Sequence, residues 1–211
     1  MVSLPIKMKR ILLPIALMLI TFSGCQDEES TLPPSRLSEQ ELETLLFTRE
    51  EEKLAFDVYN YAFEKHGLPA FQNIASSEQQ HINAVLSVMA SNGIADPLNG
   101  TTDRGIFSNP TLQDLYSLLT ARVNQSLQES IKVGLLIEDM DINDLKAGIL
   151  ETSNPQLIQV YSSLKCGSEN HLRSFFNQAQ IQGVDYSPEF TSQEEYTQIV
   201  NSPRTSCQTT N

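Results

Sequence analysis

The sequence predicts an all-α fold: a four-helix bundle with an extra helical segment in its middle crossover and a short helical arm at the C-terminus. Three observations carry this. Apolar residues recur at three-and-four spacing over four long stretches, helix start and stop signals bracket each stretch, and nothing between them alternates convincingly with period two. With 211 residues, 40% of them hydrophobic, the chain is long enough for one domain with a sizeable core plus extensions.

Residues 1–24 stand apart from the fold as a signal peptide. Lys7, Lys9 and Arg10 form a basic start, "ILLPIALMLITF" is a short apolar run, and "FSGC" places small residues directly before Cys25. That junction resembles a bacterial lipoprotein cleavage box, with Cys25 as the lipid acceptor. The run is short for a membrane-spanning helix and contains Pro14, which weighs against the alternative of a retained anchor. The formal charge of −12 becomes −15 once the three basic residues of that segment are removed. So acidic a chain repels phosphate backbones, which excludes nucleic acid as a partner.

Residues 25–37 read as a lipidated tether, polar and acidic before Pro33 and Pro34. The bundle is expected over residues 38–182. Ser38 and Glu41 form a capping box, and Leu42, Leu45, Leu46, Arg49, Glu52, Phe56, Tyr59 and Phe63 follow as an amphipathic stripe, from which Glu50 and Glu51 fall away. Gly67 and Pro69 end this first helix. A second runs from about Pro69 to Asn92, and the short connection sets the two antiparallel. After a Gly-, Asp- and Asn-rich stretch over 93–109, Asn109-Pro110 opens the extra segment "TLQDLYSLLTARV". Ser126 and Glu129 form another capping box before "IKVGLLIEDMDINDLKAGIL", and Asn154-Pro155 starts the last long helix, which continues to about Gly183. Residues 183–211 form an arm with a short helix capped by Ser192, then a frayed tail from "SPRTSCQTTN".

Each stripe of the bundle contains an acid or a histidine. The second row reads Phe71, Ile74, Glu78, His81, Ile82, Val85, Met89; the third includes Glu138, Asp141 and Ile142; the last includes Tyr161, Leu164, Ser168, His171 and Phe175. His66, at the end of the first helix, is expected to interact with that helix's C-terminus. A single inward histidine is explained by a hydrogen-bonded core imidazole. Carboxylates on three facing stripes are not, because in a low dielectric they repel one another. A divalent cation resolves the conflict. Glutamate and histidine without thiolates suit iron, manganese or zinc, and Glu78 and His81, three residues apart, share one helix face. This Glu-x-x-His spacing in a four-helix bundle is the pattern of carboxylate-bridged di-iron proteins.

The runs "REEEKLAFDVYNYAFEKHGLPAFQNIASSEQQHINAVLSVM", "KVGLLIEDMDINDL" and "GSENHLRSF", with the arm "TSQEEYTQI", resemble the bacterial and archaeal ferritin-like family catalogued as domain of unknown function 2202. The spacing of Glu52, Ala55 and Tyr59 is also similar to the first helix of rubrerythrins. The resemblance implies a ferritin-like four-helix bundle over roughly residues 38–200, but no settled activity. It also exposes a departure. A full di-iron pattern has Glu-x-x-His on the fourth helix as well, and here Ser168 stands three residues before His171. The expected metal ligands are Glu52, Glu78, His81, Glu138 and His171, with Asp141 supplying the missing carboxylate or, alternatively, capping a new turn. One ion, or an asymmetric pair, is left open.

Two functions compete. One is a lipid-anchored protein binding mono- or dinuclear iron, with manganese or zinc as alternatives, for iron handling or as a non-haem iron oxidoreductase acting on oxygen or peroxide. Tyr59 and Cys166 lie near that site as redox relays or as packing. The other is a non-catalytic anchored scaffold with a degenerate or structural metal site. The expected location is the cell envelope, on the outer membrane or a periplasm-facing membrane surface, because no Asp follows Cys25. Pairing into a homodimer is open.

Overall fold

The local signals are realised in order. The computed structural model describes residues 37–207; the expected signal segment, Cys25 and nearly all of the tether lie outside them. The described residues form six helices and no strand: α1 (Glu39–His66), α2 (Pro69–Ser91), α3 (Pro110–Val123), α4 (Leu127–Glu151), α5 (Pro155–Gln182) and α6 (Gln193–Asn201). None of these is long and apolar enough to cross a membrane.

The Ser38–Glu41 capping box forms in both directions, at 3.2 and 2.8 Å, and Gly67 ends α1 in the left-handed conformation at φ 67°. Proline at the first turn of α2, α3 and α5 supplies a preset φ where no N–H is needed. At α4, Ser126 accepts from the Glu129 N–H at 3.1 Å, but the Glu129 carboxylate turns to Lys132 and Arg122, at 2.8 and 3.3 Å. His66 also departs from expectation. Its Nε2 donates to the Val123 carbonyl at 2.8 Å, so it ties the end of α1 to the end of α3.

The long helices pair as α1 with α2, α2 with α5, α5 with α4 and α4 with α1, while α3 lies on α1 and α4 and α6 lies on α5. Their apolar stripes build two clusters. One gathers Tyr59, Phe71, Leu135 and Phe175; the other gathers Leu45, Val85, Met89, Leu145, Tyr161 and Leu164. In chain order each long helix passes from one cluster to the other, with Glu52, Glu78, His81 and His171 between the two on α1, α2 and α5, and Glu138 and Asp141 just before the change on α4.

The C-terminal arm is held by Asp139, whose carboxylate accepts from the Tyr186 hydroxyl, the N–H groups of Glu189, Phe190 and Thr191, and the Thr191 hydroxyl, all within 3.0 Å. The expected fraying from Ser202 does not occur as far as Cys207. Arg173 donates to Ser202, Asn170 bridges to Thr205, and Cys207 forms a disulfide with Cys166. Cys166 is therefore a structural cross-link to the tail, neither simple packing nor a free redox relay.

Candidate metal centre

Where the helices pass between the apolar clusters, Glu52, Glu78, His81, Glu138, Asp141, Ser168 and His171 form one buried polar layer. Helical spacing explains why. Glu78 and His81 stand on one face of α2, Glu138 and Asp141 on one face of α4, and Ser168 and His171 on one face of α5, each pair three residues apart.

Glu78 lies at the middle, 2% exposed. Its Oε2 is 2.7 Å from His81 Nδ1 and its Oε1 is 2.8 Å from His171 Nδ1. Glu52 reaches the first imidazole, Oε2 to Nδ1 3.1 Å. Glu138 reaches the second, Oε2 to Nδ1 3.5 Å. Two groups result, Glu52–Glu78–His81 and Glu78–Glu138–His171, and within each the donor atoms lie within 4.8 Å of one another. The two imidazole rings are stacked, centroids 5.4 Å apart. The sixth expected residue, Asp141, is in mid-helix and caps nothing. Its Oδ2 accepts from the Ser168 hydroxyl, and its Oδ1 is buried without a partner.

The family description "Uncharacterized protein domain (DUF2202)" matches residues 41–203. The chain belongs to this family. It is similar to the uncharacterized protein MJ0754 of Methanocaldococcus jannaschii, 42% identical over 173 residues, which span 82% of this chain and 93% of that protein. The crystal structure of hypothetical protein MJ0754 aligns with a TM-score of 0.80 and 41% identity, over 83% of this chain and all of the other.

In the DUF2202 layer, surrounding groups fix the orientation of the donors. His171 Nε2 is 2.9 Å from Ser77 Oγ, so its Nδ1 faces the carboxylates. Tyr59 donates to Glu138 Oε1 at 2.6 Å. Gly167 lies against the His81 ring, where any Cβ would collide with it. Gly134 likewise lets the Phe175 ring approach the backbone of α4.

The electrostatics follow from burial set against two imidazoles. Burial pushes the Glu78 carboxyl up, but His171 and His81 outweigh it and hold it well below the usual carboxylate range. Burial raises Glu52 to about 7 against the pull of His81. It also raises Glu138 against the pull of His171. Burial lowers His171, yet Glu78 and Glu138 bring it up to about 10; Glu52 and Glu78 likewise raise His81.

Sequence periodicity misses two buried acids on α1. Glu51 was expected off the buried face, yet it is 1% exposed, and burial, then Asp144, Glu52 and Glu138, raise it well above its ordinary range. Glu50 is also buried, its Oε2 accepting from the N–H groups of Ser108 and Asn109 at 2.6 and 3.1 Å. The crossover over 93–109 and helix α4 cover a second face of α1 that one helix's periodicity does not announce.

A polar cavity of about 410 Å³ opens on the other side of the layer, between α2 and α5, and both imidazoles line it. The tail carrying Arg204, Thr205 and Cys207 forms part of its wall.

Proposed function

We propose that this chain is a lipid-anchored, ferritin-like metalloprotein whose bundle binds two divalent non-haem ions. Iron is the first choice, and manganese and zinc suit the same donors. One observation carries the reading: the two oxygens of Glu78 face two different histidines, and each histidine has its own second carboxylate. Glu52, Glu78 and His81 would hold one ion and Glu78, Glu138 and His171 the other, with Glu78 offering one oxygen to each group.

The residues fit such ions on the chemistry of their unpaired atoms. Glu52 Oε1 is buried without a partner, and His171 Nδ1, although close to Glu78, makes no hydrogen bond of acceptable geometry. Buried polar atoms left this way are costly unless something binds them. The closed order of four helix pairings supports the ferritin-like bundle. Bound iron would supply open coordination positions and electrons for oxygen or peroxide chemistry. The protein's part would be to hold Glu52, Glu78 and Glu138 ionised around the charge, keep both imidazoles neutral, and admit a small reactant through the cavity beside them.

A second reading, a scaffold with a structural ion, draws on Ser168, which supplies a hydroxyl where a fourth-helix glutamate would stand. The deciding experiment is metal analysis of protein purified without added metal, followed by Fe(II) addition in air. Two bound ions and Fe(II) oxidation support the oxidoreductase, a tightly held ion without oxidation supports the scaffold, and no stoichiometric ion sinks the centre. Anchoring at the cell envelope rests on Cys25. Cys25→Ser should release the protein from the membrane fraction or leave its precursor uncleaved.

A further inference from the structure

Helix α4 carries more carboxylates past the centre than the two triads use. Glu138, Asp141 and Asp144 recur at three-residue intervals, and Glu151 continues the row after Gly148. At the rise of an α-helix, Asp144 stands about 9 Å along the axis from Glu138. Facing this row from α1 is Glu51, fully enclosed, with neither carboxylate oxygen hydrogen-bonded. On α1 it stands between Glu50, which reaches the outer cleft, and Glu52 of the centre. A buried carboxylate facing other carboxylates with no donor in reach is unfavourable for folding alone. It is suited to receive a cation.

Beyond Asp144 a cleft of about 690 Å³ opens between α1 and α4. Glu39, Glu43, Glu50, Asp144 and Glu151 line it, and among the described residues no lysine, arginine or histidine does. The cavity on the opposite side of the layer contains Arg204, whose charge opposes passage of a cation.

Resting on the metal-centre reading, we propose that the acid-lined cleft and Glu51 form the route by which divalent metal ions reach the buried centre. Glu39, Glu43 and Glu151 attract the hydrated ion at the mouth. Asp144 and Glu51 exchange water for carboxylate oxygen step by step, and Glu52, next to Glu51 on α1, receives the ion. The cavity beside the histidines is left for neutral or anionic small molecules.

The test is the rate of Co(II) uptake by the full chain, followed through the visible absorption of the bound ion in stopped flow. Wild-type uptake should slow as ionic strength rises, as expected for steering by a charged cleft. Glu51→Gln and Asp144→Asn should each slow uptake about tenfold or more, within the range that electrostatic steering supplies, while final stoichiometry is unchanged. Glu43→Gln, exposed at the mouth, leaves the core untouched and should slow uptake by a smaller factor. Glu194→Gln on α6 should match wild type. If all three cleft variants load the centre at the wild-type rate, the route is overturned and the centre stands. If the wild-type chain takes up no Co(II), the centre falls and the route with it.

Discussion

The Ser168 hydroxyl donates to Asp141 Oδ2 across the α4–α5 pairing, one helical turn before His171. A short hydroxyl and a carboxylate from the neighbouring helix together occupy the place where a fourth-helix glutamate would make the layer symmetric. Asp141 keeps Oδ1 unpaired and is pushed well above the usual carboxylate range by burial, then by Glu52, Glu51 and Glu138. Asp141→Asn retains an acceptor for Ser168 and removes the carboxyl group that a bound cation would ionise. Thermal melts should show the metal-free protein no less stable, and isothermal titration should show the weaker of two ions bound at least about tenfold less tightly, a loss of about 1.4 kcal/mol or more. Unchanged binding would assign Asp141 to the Ser168 hydrogen bond alone.

The two triads predict a stoichiometry test. Glu52→Gln and Glu138→Gln should each reduce Co(II) binding from two ions to one, because each residue belongs to one triad. Glu78→Gln should abolish both, since both imidazoles depend on it. Two ions retained by Glu78→Gln would remove the bridging role.

The layer also sets a pH dependence. His171 is raised from 6.5 to about 10 and Glu52 from 4.5 to about 7, so the folded state holds both protons more tightly than the unfolded chain. Stability from such groups is full below the unfolded values and lost as pH rises through the folded ones. Metal-free protein should therefore melt at progressively lower temperature as pH rises from about 5 to about 10. Metal binding should release protons and strengthen with pH, because cation and proton compete for the same atoms. A melting temperature that rises across that range would contradict this.

The disulfide between Cys166 and Cys207 closes a loop of 41 residues in sequence separation. By the loop-closure argument, Cys207→Ser should cost about 3–4 kcal/mol in urea denaturation. It should also loosen the wall of the cavity beside His81 and His171, so bound Co(II) should be lost faster to a chelator. Unchanged release would mean that the tail does not control access.

Asp139→Ala leaves five donors of the arm without their shared acceptor. Hydrogen bonds to a buried charge are individually worth about 1.5–3 kcal/mol, so the loss should exceed about 3 kcal/mol, and hydrogen exchange over residues 186–191 should accelerate. Protection retained there would show that α6 alone fixes the arm.

Features encoded within a single helix were legible from the residues alone. Capping at Ser38, the stops at Gly67 and Gly183, and the inward positions of Glu52, Glu78, His81, Glu138 and His171 follow from backbone chemistry and a 3.6-residue period. Which neighbours cover which faces depends on how the helices pack together. Glu50 and Glu51 lie off the α1 stripe, yet they are buried because the crossover and α4 close over them. Periodicity brought Glu78 inward but left open that its two oxygens face two different histidines, which depends on how α2 and α5 pack. Nor could spacing join Cys166 to Cys207, because the pairing depends on the tail turning back along α5 through Arg173 and Asn170. A helix's sequence fixes the direction of its side chains relative to its own axis, whereas burial and coordination depend on several axes at once.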